Sequence, residues 1–189
     1  TIVMVGRLDA NKNVGMLLRA FAGLLRPHGE QGVAEKPESL AGWRVLIYGD
    51  GEERDALERL SSNLGLNTIF TGALYGERLL AWYNIADVLV LPSTREAFGA
   101  VTGEALTCGC RVMVSSRAGS VSLVREGENG LVVDPYDRAA MSRALVSLLD
   151  MPVLPRSPGG LRPSLLPVSF SASINSLLGG LEKLRPDER

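Results

Sequence analysis

The chain has 189 residues, of which 46% are hydrophobic and 22% charged, and its formal net charge is −1. This length fits one domain with a single core. The near-neutral charge and the lack of a basic run argue against nucleic acid as a partner, and the longest apolar runs are too short for a transmembrane helix.

Six short apolar runs predict strands, and amphipathic stretches lie between them. The strands are expected at 1–5, 44–48, 67–71, 87–91, 111–115 and 130–133, and helical stripes at 14–25, 57–64, 79–83 and 141–149, with a further helix within 92–110. Strands that are apolar nearly throughout, each followed by a helix, are typical of a parallel sheet covered on both faces. We therefore predict an α/β, Rossmann-like, doubly wound fold with ligands at the carboxyl ends of the strands.

Two stretches interrupt this alternation. Residues 27–43 are polar and predict an exposed loop, and residues 150–169 contain five prolines, which exclude a regular element there. We divide the chain into a Rossmann-like domain (1–150), a proline-rich linker (151–170) and a C-terminal helix and tail (171–189, with the helix at about 172–184). The end of the chain either crosses back to a neighbouring domain or is a mobile tail. Since Thr1 enters a strand at once, we expect an excised domain whose N-terminal partner is missing.

The cysteines and the single histidine do not indicate a metal site. Cys108 and Cys110 lie between apolar residues near a predicted helix end, and we interpret them as core residues, which favours a reducing compartment. His28 lies in a polar loop, so acid–base chemistry by histidine is not expected either.

The loop after the first strand has the residues of an anion site. Gly6 permits a tight turn, and Arg7 and Lys12 flank the loop just before a helix. The positive end of that helix together with two cations suits a diphosphate. The alternative is a pair of solvated surface charges.

The next two loops add weaker signals. Gly49 and Gly51 would allow a ligand to approach the backbone, but Arg54 stands where a dinucleotide fingerprint needs a third glycine, which disfavours a plain NAD-binding domain. The turn that contains Leu74, after the third strand, could offer main-chain groups to a planar base.

The stretch 92–110, after the fourth strand, brackets a helix start with two carboxylates. Backbone N–H groups near Gly99, Ala100 and Val101 would point towards a bound phosphate. Glu96 before the turn and Glu104 inside the helix can accept hydrogen bonds from vicinal hydroxyls. The alternative is that Glu96 compensates the helix dipole and Glu104 is simply exposed.

Together these motifs resemble the C-terminal, nucleotide-sugar-binding domain of retaining GT-B glycosyltransferases, the group 1 glycosyl transferases. The resemblance covers about residues 1–150, and its phrases are VGRLDANKN (5–13), YGDGEERDALERL (48–60), FTGAL (70–74), WYNIADVLVLPSTREAFGAVTGEALTCG (82–109) and NGLVVDP (129–135). The Glu-x7-Glu spacing of Glu96 and Glu104 is the family's signature. The chain would therefore be one half of a GT-B fold.

The resemblance implies a role for each site residue. Arg7 and Lys12 would bind the donor diphosphate and stabilise the leaving nucleoside diphosphate. Glu96 would bind the donor sugar, and Glu104 the ribose diol. The backbone of 98–101, which begins at Phe98, would cap sugar and phosphate, and Leu74 would sit at the base.

The resemblance also implies the chemistry and the partners. The reaction would transfer a hexosyl- or mannosyl-type sugar from a nucleoside diphosphate sugar to an acceptor, with retention and without a metal or other cofactor, because cations and a helix N-terminus take the metal's role. The acceptor would bind to the missing N-terminal domain, without which this chain would be inactive. Membrane contact would come only through that half, so we expect a cytoplasmic protein, with the full-length enzyme possible at the cytosolic face of a membrane.

Three positions depart from the family pattern, and other functions stay open. Arg111 stands where a proline is usual, Gly103 adjoins Glu104, and Ser122 replaces a common acidic residue. A non-catalytic nucleotide-sugar-binding module, or a GT-B epimerase or phosphorylase, are the alternatives.

Overall fold

A computed structural model describes residues 1–25, 42–169, 171–172 and 174–175. All six predicted strands are present, and each begins at or one residue after its predicted start. They are β1 (Ile2–Val5), β2 (Val45–Tyr48), β3 (Thr68–Gly72), β4 (Val88–Leu91), β5 (Arg111–Ser115) and β6 (Gly130–Val133).

The strands form one parallel sheet in the order β3-β2-β1-β4-β5-β6. The chain first moves outwards from β1 to β3 and then returns to place β4 on the other side of β1. The loops that leave the carboxyl ends of β1 and β4 therefore diverge from a shared crevice, which is where ligands bind in open sheets of this kind.

Five helices cover the two faces of the sheet. They are α1 (Val14–Leu25), α2 (Arg54–Asn63), α3 (Glu77–Ile85), α4 (Ala100–Thr107) and α5 (Arg138–Leu149). Apolar residues of α1, α2 and α5 join one core cluster, and those of α3 and α4 join the other. The prediction of a Rossmann-like, doubly wound sheet, the architecture of one half of a GT-B fold, is thus confirmed.

The burial of each strand follows its place in the sheet. Every residue of β1, β2 and β4 is buried, whereas β3, at one edge, alternates between half-buried and exposed residues. Central strands covered on both faces require apolar side chains throughout, which explains the continuous apolar runs in the sequence.

The proline-rich segment packs against the domain without forming a helix or strand. The Arg162 side chain is buried, and its guanidinium donates hydrogen bonds to the Ala86 carbonyl and, at 2.8 Å, to the Asp87 carboxylate. Asn84 donates to the Gly160 carbonyl (3.0 Å), and Leu165 N–H donates to the Leu106 carbonyl (2.8 Å). The absence of regular structure in 151–169 is as predicted, while the proposed division into domain, linker and tail stays a prediction.

Some predictions fall on parts of the chain outside the described residues. These are most of the 27–43 loop, His28 and most of the helix expected at 172–184. Residues 172, 174 and 175 of that helix are described and are helical, as is residue 171 before it. Within the described ranges, no helix is both long and apolar enough to cross a membrane. Cys110 is buried, Cys108 is half-buried and neither forms a disulfide, which supports their interpretation as core residues.

Candidate functional site

The loop after β1 is built around Asp9. Its carboxylate caps a short 3-10 helix, Ala10–Lys12, by accepting hydrogen bonds from Asn11 N–H (3.0 Å) and Lys12 N–H (3.3 Å). It also accepts one from Arg7 Nε at 3.2 Å. The cap fixes the backbone that carries Lys12, while the Arg7 side chain is 79% exposed above the loop.

Lys12 and Glu96 form an ion pair across the crevice between β1 and β4. The Lys12 ammonium donates a hydrogen bond to Glu96 Oε2, and the two side chains are only 20% and 17% exposed. The ends of the two loops are further joined by Thr94 N–H, which donates to the Asn11 carbonyl at 2.8 Å. The structure thus brings together two residues, 84 positions apart, that the sequence placed in separate motifs.

Asn13, the residue after Lys12, ties three loops together. Its Nδ2 group donates to the Pro92 carbonyl (3.2 Å) and to the Pro135 carbonyl (2.9 Å), which follow β4 and β6. Among the described residues it is the only one other than glycine with a positive φ (53°). Asparagine tolerates this left-handed conformation better than most residues.

The start of α4 lies beside Glu96. Gly99, at φ 71°, is the N-cap, and a Cβ there would come within 2.5 Å of Ser120 Oγ. Its N–H donates to Glu96 Oε1 at 3.3 Å. The Glu96 backbone is held by the loop after β5, because Gly119 N–H donates to its carbonyl at 2.9 Å. One carboxylate therefore contacts both the helix N-terminus and Lys12.

The glycines after β2 let this loop approach the β1 loop closely. A Cβ at Gly49 would overlap the Gly6 carbonyl group, whose carbon would be only 2.9 Å away, and one at Gly51 would meet the Leu8 carbonyl carbon at 2.8 Å. Two backbone hydrogen bonds, from Gly6 N–H to Tyr48 (3.0 Å) and from Leu8 N–H to Asp50 (2.9 Å), close the contact. In the described structure these glycines serve loop-to-loop packing.

Glu104 lies on α4 and is exposed, and its Oε2 accepts a hydrogen bond from the Tyr83 hydroxyl at 3.1 Å. Tyr83 belongs to α3 and is completely buried. Burial, and then the neighbouring Glu104 carboxylate, raise the pKa of the Tyr83 phenol above its usual value. The phenol is therefore neutral near neutral pH, and its hydroxyl is the donor in this hydrogen bond.

The remaining predicted residues are more dispersed. Phe98 is 83% exposed, Ala100 is exposed and Val101 is half-buried. Leu74 follows β3, which is separated from β4 by two strands. At about 4.8 Å per strand, the Leu74 loop is displaced by about 15 Å along the sheet from the Glu96 loop. Only an elongated ligand would contact both the Leu74 loop and the Glu96 loop.

Three residues that shape the site were not predicted from the sequence. Asp9 could have been recognised, since aspartate is a common N-cap and Asp9 directly precedes the helical turn at 10–12. Asn13 and Tyr83 act through contacts with distant residues, for which the sequence carries no local signal. Among the described residues, no group of three or more His, Cys, Asp or Glu side chains could hold a metal ion.

Proteins with a similar sequence align with most of this chain. A D-inositol 3-phosphate glycosyltransferase of Acidothermus cellulolyticus is 33% identical over an alignment of 156 residues, gaps included, which covers 79% of this chain and 33% of that protein. A protein of the same name from Corynebacterium jeikeium is 33% identical over an alignment of 193 residues, gaps included, which covers 98% of this chain and 44% of that protein. The chain thus spans between a third and a half of the length of these relatives.

Solved structures share the fold. A sucrose-phosphate synthase from Thermosynechococcus elongatus aligns with 97% of this chain and 46% of its own, at a TM-score of 0.66 and 26% identity. The C-terminal domain of a glycosyl transferase group 1 protein from Francisella tularensis aligns with 79% of this chain and 75% of its own, at a TM-score of 0.62 and 20% identity.

A sequence model of a protein family matches most of the fold. The model described as "Glycosyl transferases group 1" matches residues 1–159, which include all six strands and both loops that meet at the crevice. The chain therefore belongs to the glycosyl transferases group 1 family.

Proposed function

We propose that this chain is the donor-binding part of a retaining, metal-independent glycosyltransferase that uses a nucleoside diphosphate sugar. The observation that carries the proposal is the ion pair of Lys12 with Glu96, beside the N-terminus of α4. It puts a cation for the diphosphate next to a carboxylate for sugar hydroxyls, at the crevice where the strand order reverses.

The roles of the residues follow from this arrangement. Lys12 and Arg7 bind the diphosphate and stabilise the charge that develops as the nucleoside diphosphate departs, with the backbone N–H groups at the start of α4 assisting. Arg7 is exposed and held by the capping carboxylate of Asp9, so it can turn towards a ligand without leaving a buried cavity. These groups take the electrostatic role that a metal ion has in other transferases.

The ends of the donor are assigned to the two glutamates and the β3 loop. Glu96 binds hydroxyls of the sugar that is transferred, and Glu104 binds the ribose diol. The main chain at Leu74 contacts the base, about 15 Å along the sheet from the β4 loop. The acceptor binds to an N-terminal domain that lies outside this chain, which is shorter than its relatives.

Donor binding is tested by calorimetric titration of the chain with UDP, GDP and ADP. We expect one of the three to bind, and Lys12→Ala to weaken its binding. Arg59→Ala is the matched control, because it removes one positive charge from an exposed position on α2. Loss of binding in the control as well would show a general charge effect, and no binding of any nucleotide by the wild-type chain would contradict the proposal.

Catalysis is tested in the full-length protein. Lys12→Ala should lower turnover by about 100-fold or more, the loss that follows removal of a group that stabilises transition-state charge. Arg59→Ala should leave turnover unchanged. Unchanged turnover in Lys12→Ala would refute the catalytic assignment. Nucleotide binding without any sugar transfer by the full-length protein would favour the alternative of a non-catalytic binding module.

A further inference from the structure

We infer that Tyr83 is a positioning residue that gives the donor site its preference for ribose over deoxyribose, by holding Glu104 in place. The inference rests on the proposed function, in which Glu104 binds the ribose diol. Its basis is the hydrogen bond of 3.1 Å from the Tyr83 hydroxyl to Glu104 Oε2.

An exposed glutamate on a short helix is a poor binding group unless something orders it. Glu104 is exposed and lies in α4, which has eight residues. When a ligand must hold such a side chain in one rotamer, the lost conformational freedom weakens its binding. A hydrogen bond that already exists before the ligand arrives removes part of this cost.

Tyr83 is suited to supply that hydrogen bond. Its side chain is 0% exposed and packs in the core cluster between the sheet and helices α3 and α4. The ring is therefore fixed by packing, and its hydroxyl presents one donor to Glu104 from a defined position. Since burial and the adjacent carboxylate both favour the neutral phenol, the direction of the hydrogen bond does not change near neutral pH.

The contact leaves the carboxylate able to bind a diol. An ionised carboxylate has about four lone-pair sites on its two oxygens. Tyr83 donates one hydrogen to Oε2, so Oε1 and the rest of Oε2 can accept from two hydroxyls. Tyr83 thus orders Glu104 without taking the capacity that the ribose needs.

The alternative is that this hydrogen bond only connects α3 to α4 and so contributes to stability. A structural role would change the binding of every nucleotide to a similar extent. A positioning role would change only the binding energy that comes from the ribose hydroxyls. Comparison of a ribonucleotide with its 2′,3′-dideoxy form therefore separates the two roles.

The experiment measures dissociation constants of the chain for UDP, GDP and ADP and for their 2′,3′-dideoxy forms, by calorimetry. In the wild-type chain the ribonucleotide should bind at least about 10-fold more tightly than its dideoxy form, as lost hydrogen bonds to a charged group would give. Glu104→Gln should reduce this preference strongly. Tyr83→Phe, which keeps the ring, should reduce it by about 3- to 10-fold and leave dideoxy binding unchanged.

Tyr48→Phe is the matched control. Tyr48 is also buried in this cluster, and its hydroxyl has no hydrogen-bond partner within the described part of the chain. The same loss of one oxygen should leave the ribose preference at the wild-type value. Unchanged dideoxy binding also shows that each variant is folded.

Each other outcome has one meaning. The role of Tyr83 is refuted, while the proposed function stands, if Glu104→Gln abolishes the ribose preference but Tyr83→Phe keeps it. The same conclusion follows if Tyr83→Phe weakens the binding of both nucleotide forms equally. If the wild-type chain binds nucleotides without a ribose preference, both Tyr83 and the assignment of Glu104 are refuted. If it binds no nucleoside diphosphate, the proposed function itself fails.

Discussion

Replacement of Asn13 tests whether one side chain holds the candidate site together. Its amide donates two hydrogen bonds, at 3.2 and 2.9 Å, to carbonyls in the loops after β4 and β6. Each is worth about 0.5–1.5 kcal/mol, or about 1–3 kcal/mol together. Its φ of 53° adds a second contribution, because a left-handed conformation costs alanine about 1–2 kcal/mol.

Three variants separate these contributions. Asn13→Ala loses both the hydrogen bonds and the tolerance of positive φ, so we expect a loss of about 2–5 kcal/mol in the free energy of unfolding. Asn13→Gly removes the backbone strain but makes the unfolded chain more flexible, and should cost about 1 kcal/mol less than alanine. Asn13→Asp keeps the shape but points an acceptor at two carbonyl oxygens, so at pH 7 it should cost at least as much as alanine.

The aspartate variant adds a dependence on pH. Below the usual aspartate pKa of about 4, a protonated carboxyl can donate one hydrogen bond again. Because the carbonyls disfavour the ionised form in the folded state, the folded pKa is raised, and the stability of this variant relative to wild type should fall as pH rises from about 4 to 7.

The assay is urea denaturation of the chain at pH 4 and pH 7, followed by circular dichroism, with the slope m checked for constancy. Asn63→Ala, at the exposed end of α2, is the control and should change stability by less than about 0.5 kcal/mol. The contributions assigned to Asn13 are wrong if all three variants lie within that margin, or if aspartate at pH 7 is as stable as asparagine.

Two further predictions concern the packing of the domain. Gly49→Ala should destabilise the chain by about 4 kcal/mol or more, because the new Cβ overlaps the backbone at Gly6. Gly23 is exposed in α1 and an added Cβ would have no atom within 4 Å, so Gly23→Ala should stabilise the chain by about 0.5–1 kcal/mol. Equal melting temperatures of the two variants would contradict this. Burial raises the pKa of the Cys110 thiol from 9.0 to about 12, so the unfolded chain releases this proton first and stability should fall as pH rises from about 9 towards 12. Denaturation at pH 8 and pH 10 should show a smaller loss in Cys110→Ala than in wild type, and an identical loss would contradict this assignment.

The fold was predictable because its sequence signals are local. In a sheet covered on both faces, apolar runs such as 88–91 mark the central strands directly. The alternation of strands and helical stripes then restricts the topology to a parallel sheet with a switch point. Several strand starts were predicted one residue too early, because Arg44, Asn67 and Asp87 lie next to the sheet but do not pair as strand residues.

The site was predictable only in part. The residue types of Lys12 and Glu96 were informative, and the strand order brings their loops together. Their direct ion pair depends on side-chain positions 84 residues apart, which no periodicity records. The same holds for Asn13, whose partners Pro92 and Pro135 are backbone carbonyls, and any residue type can supply such a carbonyl.

The attachment of the proline-rich segment has a mechanical consequence. Leu165 N–H is hydrogen-bonded to Leu106, near the end of α4, and the Arg162 guanidinium to Ala86 and Asp87, just before β4. A pull on the chain after residue 169 is therefore applied to the centre of the sheet rather than to an edge. The force would act first on the helix that carries Glu104 and on the start of β4. The length of β4, about 13 Å, separates that start from the loop of Glu96.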